Sequence, residues 1–317
     1  LLKKILLLWL VSRLALFLTV GSQSAWDQGD VHFYLEIAST GYQPGFLSNC
    51  GWCPGFPLLL KLIPLNPLLL NNLILLPALI MTWQLNRLDH DEDTAWKGLL
   101  LLLAFPSAYF LTAPLSEATF LLFSVSAFWS ARKNHWFLAA LLAAYATITR
   151  IQGLLLLPAL LLEKPGKKQA LYLALIPLAQ LLFALHLQAS TGDFWAYFHV
   201  QQRLERHISG WHKLATGLDG QHWIGITYAI IALIMLATSW EKLRNSQRFY
   251  CLASLFLPFY HSLWVSTGRL MIVLTPLYAQ AAQNIPKRLF PWTITALIIL
   301  QLIAAAFYSL ANPYFIY

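Results

Sequence analysis

Charge is what this sequence has least of. Asp, Glu, Lys and Arg make up 11% of its 317 residues, against roughly 25% in an ordinary soluble domain. With 58% of the chain hydrophobic and a mean hydropathy of +0.60, no water-facing surface could enclose so much apolar side chain, and a soluble globular protein is excluded. Cysteine is sparse too: Cys50, Cys53 and Cys251 are too few for a disulfide scaffold. Internal repeats, low-complexity tracts and a composition break that would mark off a second domain are also missing. The chain reads as one membrane domain over residues 1–317.

What is there instead is a series of long apolar runs. Lipid offers no hydrogen bonds, so backbone groups within it must pair internally, in helices or in a closed barrel. These runs are too long and too little alternating for barrel strands, and a spanning helix needs roughly 20 mostly apolar residues. Breaks at charges and at Pro and Gly clusters give about eleven predicted spans, near 2–20, 68–85, 96–112, 118–130, 135–148, 151–162, 170–187, 222–240, 249–265, 270–283 and 290–310. Several are short enough to be half-helices. The first run follows Lys3 and Lys4 and ends in Ser22-Gln23-Ser24-Ala25, as a signal peptide would. Arg13 interrupts it and many spans follow, so an uncleaved first helix is expected. The stretch 56–63 is too short to span before Pro64 and Pro67, and is predicted to lie at the interface.

The net charge of +8 would suggest nucleic acid in a soluble protein; in a membrane chain the question is where the positive charges fall. If the spans alternate, Lys3, Lys4, Arg87, Lys97, Arg132, Lys133, Lys164, Lys167, Lys168, Lys242, Arg244, Arg248, Lys287 and Arg288 share one side. That is fourteen of the 21 basic residues, and it marks that side as cytoplasmic. No nucleic-acid partner is expected. The two long loops, 21–67 and 188–221, and the turns 113–117, 149–150 and 266–269 then lie together on the outer face.

The chemistry-bearing residues gather on that face. The loop stretch 26–57 carries Asp27, Asp30 and Glu36 between apolar segments. If helical, Asp27 and Asp30 would share a face, with Glu36 not far from it. Such acids suit a general base or a cation ligand, or else they are solvated or capping side chains. Arg150 and Arg269 sit at outer helix ends beside Thr149 and Ser266-Thr267-Gly268; guanidinium with hydroxyls suits a phosphate, and snorkelling to lipid headgroups is the alternative. Arg203 and Arg206 are further phosphate candidates. Ser116 is placed to cap the helix that Glu117 opens, making Glu117 a first-turn acid favoured by the helix dipole. The histidines 32, 199, 207, 212 and 222 show no paired metal-ligand spacing, and no metal site is expected. Cys50 and Cys53 have redox spacing without a soluble redox fold around them, which leaves a local disulfide or two free thiols.

Two stretches resemble a known family. Asp30, Tyr34, Ile37, Ala38, Gly41 and Tyr42, followed by Pro54-Gly55-Phe56-Pro57-Leu58, are similar to the first outer loop of the phosphatidylinositol glycan class V family. These are the second mannosyltransferases of GPI-anchor synthesis and their prokaryotic relatives. The run from Phe105-Pro106 through Ala113-Pro114-Leu115-Ser116-Glu117 resembles the same family's F-P-x-A-F-F-x-S-A-P-Y-S-E segment. Weaker echoes are Thr149-Arg150-x2-Gly153, Thr191-Gly192-Asp193 and Ser266-x2-Arg269-x6-Pro276-Leu277. The resemblance implies an all-α, GT-C-like polytopic bundle with interfacial helices in its first outer loop. It also implies a glycosyltransferase drawing a sugar, usually mannose, from a polyprenyl-phosphate carrier with no nucleotide sugar, no other cofactor and no metal. An acid in the first outer loop would be the catalytic base. Asp30 occupies that position, but the aromatic residue that usually precedes it is Gly29 here; Trp26-Asp27 supplies such a pair three residues earlier, so both aspartates stay in play.

The reading implied is transfer with inversion to an acceptor hydroxyl of a glycan, glycolipid or protein, on the outer face of a prokaryotic plasma membrane. Glu117, Arg150, Arg269, His32, Tyr34, Arg203 and Arg206 would bind substrate, and Trp195, Tyr197, Trp211 and Trp223 would shape an acceptor cleft or form an interfacial belt. The rivals are a lipid-linked-sugar flippase, which would tolerate loss of both aspartates, a thiol oxidoreductase using Cys50 and Cys53, and a binding protein that lost catalysis.

Overall fold

The computed structural model describes residues 2–45, 48–204, 220–261 and 266–310, and among these the regular structure is helical with no strand. Helix α1 (Leu2–Val20) ends at a long loop holding two short helices, α2 (Val31–Thr40) and α3 (Gly55–Leu62), which pack on each other. The chain then passes back and forth through α4 (Pro67–Asn86), α5 (Glu92–Ala104) with the 3-10 turn Pro106–Leu111, α6 (Glu117–Arg132) and α7 (Trp136–Thr149). A 3-10 turn, Ile151–Leu155, leads into α8 (Leu156–Leu161); α9 (Lys167–Tyr172) and α10 (Leu175–Thr191) follow, then the short α11 (Ala196–Arg203). The remaining passages are α12 (Gly220–Ser239), α13 (Asn245–His261), the pair α14 (Thr267–Met271) and α15 (Thr275–Asn284), and α16 (Phe290–Leu310).

Each predicted span therefore has a helical counterpart, but the spans differ in kind. Among the described residues, four segments are long and apolar enough to cross a membrane alone: Pro67–Asn86, Lys167–Thr191, Trp223–Lys242 and Phe290–Leu310. Others are interrupted where proline intervenes. The expected span 96–112 is helical only to Ala104, because Phe105 precedes Pro106 and is driven to extended backbone (φ −60°, ψ 139°). The expected span 270–283 divides at Leu274, before Pro276 opens α15. Large apolar side chains stand exposed on α1 (Leu7, Leu14, Leu18) and on α16 (Trp292, Leu300, Phe307), surface that a lipid phase covers.

Broken backbone at membrane depth needs substitute partners, and buried polar side chains provide them. Asn71 of α4 donates to the carbonyls of Leu111 (3.0 Å) and Ala113 (2.6 Å), and Asn72 donates to that of Thr112 (3.0 Å). Arg13, buried in α1, donates to the Thr112 hydroxyl. Its burial inside a membrane helix thus has a structural account.

Side chains tie the loops together at each end of the bundle, in the grouping expected from alternation. At one end, the basic end, Arg132 bonds Asp89, Arg244 bonds Glu163, and Lys242 bonds Asn284. At the other, the loop end, a second apolar core unites α1, α2, α10, α11 and α16 around Trp26, Tyr34, Trp52 and Phe56. Phe33 stacks on Trp52 with centroids 3.6 Å apart. The Tyr42 hydroxyl donates to the Trp52 carbonyl at 2.9 Å, which ties the two halves of the α1–α4 connection together.

Candidate active site

The loop end brings together four charged residues that are far apart in the chain. Helix α2 begins after Asp30, whose backbone occupies the capping position while its side chain makes no capping bond. That carboxylate instead receives the Arg269 guanidinium from α14. Arg269 Nε also donates to Glu117 Oε1, and Arg150 Nη1 donates to the same oxygen at 2.5 Å. Tyr34 completes the cluster: its hydroxyl donates to Ser116 Oγ at 3.0 Å, and Arg150 Nη1 lies 3.3 Å from that oxygen. Asp30, Glu117 and Arg269 are all buried, and the Arg269 guanidinium lies 5.7 Å from the Phe110 ring. Two acids against two arginines leave the cluster electrically balanced, the condition for charge to survive burial.

Local chain chemistry explains why these groups meet. Gly29 has φ +61°, a left-handed conformation that an aromatic residue would adopt only under strain. The residue before Asp30 departs from the family pattern because the turn into α2 requires it. Gly55 lies against α7: a Cβ there would stand 2.7 Å from Thr149 Cα. That close approach sets the start of α3 against the end of α7, where Arg150 follows. Arg150 itself is extended (φ −149°, ψ 139°) between α7 and the 3-10 turn.

A cavity of ≈ 290 Å³ opens beside the cluster, with Asp30, Tyr34, Ser116, Arg150 and Arg269 in its wall. Trp52 and Cys53 from the α1–α4 connection and Tyr197 and Gln201 from α11 also line it, and Leu154, Leu155, Leu257 and Leu270 supply an apolar side. A carboxylate with arginines in the wall of a mainly apolar cavity can accept a proton and hold an anionic group while a lipid chain lies alongside.

The other predicted residues separate from this centre. Residues 26–30 are not helical, so Asp27 and Asp30 do not share a helix face; Asp27 is half-buried and outside the cavity wall. Burial raises its pKa above the ordinary 3.8. His32 and Glu36 are exposed, and His32 Nδ1 lies 2.7 Å from the Gly29 carbonyl. Arg203 is exposed and donates to the Gly45 carbonyl at 2.7 Å, away from the main cavity. It borders a smaller cavity of ≈ 180 Å³ with Asp193 and His199, a pair 2.7 Å apart. Arg206 and Trp211, like His207 and His212, lie outside the described residues. Trp195 and Trp223 are exposed, while Tyr197 reaches the cavity.

Four side chains of the cluster have partners that spacing alone does not give. Ser116 makes no capping bond and serves Tyr34 and Arg150 instead. Glu117 is the first-turn acid expected of it, and it is in addition fully buried and ion-paired to both arginines. Arg150 and Arg269 turn inward to it rather than out to headgroups. Cys50 and Cys53 are free thiols; burial pushes the Cys53 thiol up to about 12, which disfavours the thiolate that redox exchange requires. Among the described residues, no three of His, Cys, Asp and Glu are grouped to hold a metal ion. Thr149 and Ser266, expected as hydroxyls beside the two arginines, line the cavity, and so does Gln152, which sequence reasoning missed. For Gln152 the signal was a lone amide between Arg150 and the apolar run 154–162.

The helical bundle and its buried acid–arginine centre define a polytopic membrane enzyme. The family model described as Mannosyltransferase (PIG-V) matches residues 15–191, a stretch that includes Asp30, Glu117 and Arg150. The chain belongs to that mannosyltransferase family and is a glycosyltransferase. No curated protein matches it significantly.

Proposed function

We propose that this protein transfers a mannosyl group from a polyprenyl-phosphate carrier to an acceptor hydroxyl, with inversion, and that Asp30 is the base. The observation that carries this reading is the joining of Asp30, Glu117, Arg150 and Arg269 in one ion-paired cluster, of which Asp30, Arg150 and Arg269 line a cavity, in a chain of the mannosyltransferase family. The acceptor oxygen attacks the anomeric carbon, its proton passes to Asp30, and the bond to the phosphate oxygen breaks with its electron pair leaving on polyprenyl phosphate. Guanidinium groups of Arg269 and Arg150 meet the charge that develops there. In this reading arginine does that work, and no metal or cofactor is called for beyond the lipid-linked donor.

Asp30 is favoured over Asp27 because it lines the cavity and Arg269 fixes its orientation. The concentration of basic residues at the opposite end supports placing the loop end on the extracytoplasmic face of a prokaryotic plasma membrane. A glycan, glycolipid or protein hydroxyl could approach from there.

The test is transfer of radiolabelled mannose from synthetic polyprenyl-phosphate-mannose into a membrane extract, comparing wild type with Asp30→Asn and Asp27→Asn. Asp30→Asn is expected to lose about 10²- to 10⁴-fold in rate, while Asp27→Asn stays near wild type. Undiminished transfer by Asp30→Asn rejects the base assignment.

A further inference from the structure

One side chain in the cavity wall has no role among its neighbours. Gln152 lies in the 3-10 turn after Arg150 and is 1% exposed, and neither its Oε1 nor its Nε2 has a hydrogen-bond partner. It lines the same cavity as Asp30, Arg150 and Arg269. A primary amide brings one acceptor oxygen and two N–H donors, and burying them unmet sacrifices their hydration for nothing in return. Beside Ile151, Leu154 and Leu155, an apolar residue would be the more stable choice. A buried polar group left unmet calls for a specific account, and its place in the cavity wall supplies one: the partner is a ligand.

The chemistry of the amide narrows the ligand. Phosphate oxygens accept hydrogen bonds, so a phosphate would engage Nε2 and leave Oε1 unmet. Two adjacent hydroxyls on a sugar ring serve both atoms, one donating to Oε1 while its neighbour accepts from Nε2. We propose that Gln152 recognises a vicinal diol of the sugar carried by the lipid donor, an inference that rests on the transfer reading above. Its place favours the donor's sugar over the acceptor's. Gln152 is two residues from Arg150, assigned above to the donor phosphate, and the adjoining wall of Leu154, Leu155, Leu257 and Leu270 is apolar, as a lipid-borne substrate requires. A sugar lacking one of the two hydroxyls would leave one amide atom stranded, which is how a buried polar group discriminates strongly.

The experiment titrates purified full-length protein in lipid nanodiscs with polyprenyl-phosphate-mannose, bare polyprenyl phosphate and methyl α-mannoside. Wild type is compared with Gln152→Leu, and ligand-free thermal unfolding is recorded for both. Wild type tests the donor class by itself: without saturable binding of the mannosyl lipid, the transfer reading and this inference both fail. With that binding present, Gln152→Leu is expected to bind the mannosyl lipid about 10- to 100-fold more weakly, the equivalent of two neutral hydrogen bonds. Bare polyprenyl phosphate should bind within twofold of wild type. The ligand-free variant should unfold about 2–4 °C higher, because a stranded amide has been removed. Equal losses for the two lipids, unchanged binding of both, or a loss confined to methyl α-mannoside would overturn the assignment. So would a variant that unfolds below wild type, which is the mark of a structural glutamine.

Discussion

At the basic end, Asp89 and Glu163 meet Arg132 and Arg244; at the loop end, Asp30 and Glu117 meet Arg150 and Arg269. Composition is the same, two acids and two arginines, but saturation differs. Both Asp89 oxygens accept from Arg132, at 2.8 and 2.9 Å, and Gln247 adds a contact at 3.3 Å. Both Glu163 oxygens accept from Arg244, and Ser246 donates to one of them. At the loop end one Glu117 oxygen takes both arginines, and the other, Oε2, is buried with no partner. The Arg244 side chain is 44% exposed and that of Arg269 6%. The basic end is a clamp between loops, complete in itself. The loop end holds charge in reserve beside a cavity, an arrangement that is costly for stability and useful for chemistry.

The sharpest way to break this comparison is the same substitution at both ends. Asp30→Asn is expected to reduce mannosyl transfer by about 10²-fold or more, and Asp89→Asn to leave the rate within about twofold, both read as initial rates at saturating donor. Similar losses at the two ends would mean that the clusters share one structural role. The next effect is on stability. Glu117→Gln removes the acid shared by Arg150 and Arg269 and strands buried charge, a change worth about 3–5 kcal/mol in the unfolding free energy of purified protein. Arg244→Ala removes the exposed partner of Glu163, which Ser246 and Arg132 still face, and is expected to cost about 1 kcal/mol and to matter less at high salt. An Arg244→Ala loss as large as that of Glu117→Gln, or one insensitive to salt, would contradict the distinction.

Much of the frame was legible because it depends on lipid: apolar run length and breaks at charge, proline and glycine lead to the observed helices. Where proline acts locally the reading failed by a turn or more, as at Phe105 and Leu274. The site was legible as residue types but not as partnerships. Asp30, Glu117, Arg150 and Arg269 were each visible, yet nothing in spacing says that Arg269 crosses 239 positions to reach Asp30. Local rules gave Ser116 to a helix cap and Glu117 to a helix dipole because those rules see only neighbours in sequence. The competing partners arrive from α2, α14 and the end of α7. Gln152 escaped notice because an isolated amide has no motif; its meaning comes from burial without a partner.

The smallest expected effect separates the two aspartates between α1 and α2. Asp27 is half-buried, and desolvation raises its pKa in the folded protein above 3.8, so the native state holds this proton more tightly than the unfolded chain does. By linkage, the stability from that proton is fully present below the unfolded value of about 3.9 and is lost as pH rises through the folded value. Asp27→Asn removes this dependence while keeping size and polarity. The difference in unfolding midpoint, variant minus wild type, should therefore grow in the variant's favour as pH climbs from about 4 towards neutrality. Mannosyl transfer should stay at the wild-type rate throughout. A difference that is flat across this range, or that reverses, would show that burial does not strain Asp27. A transfer rate that falls with the substitution would return Asp27 to the chemistry and blur the line between a cavity acid and a loop acid.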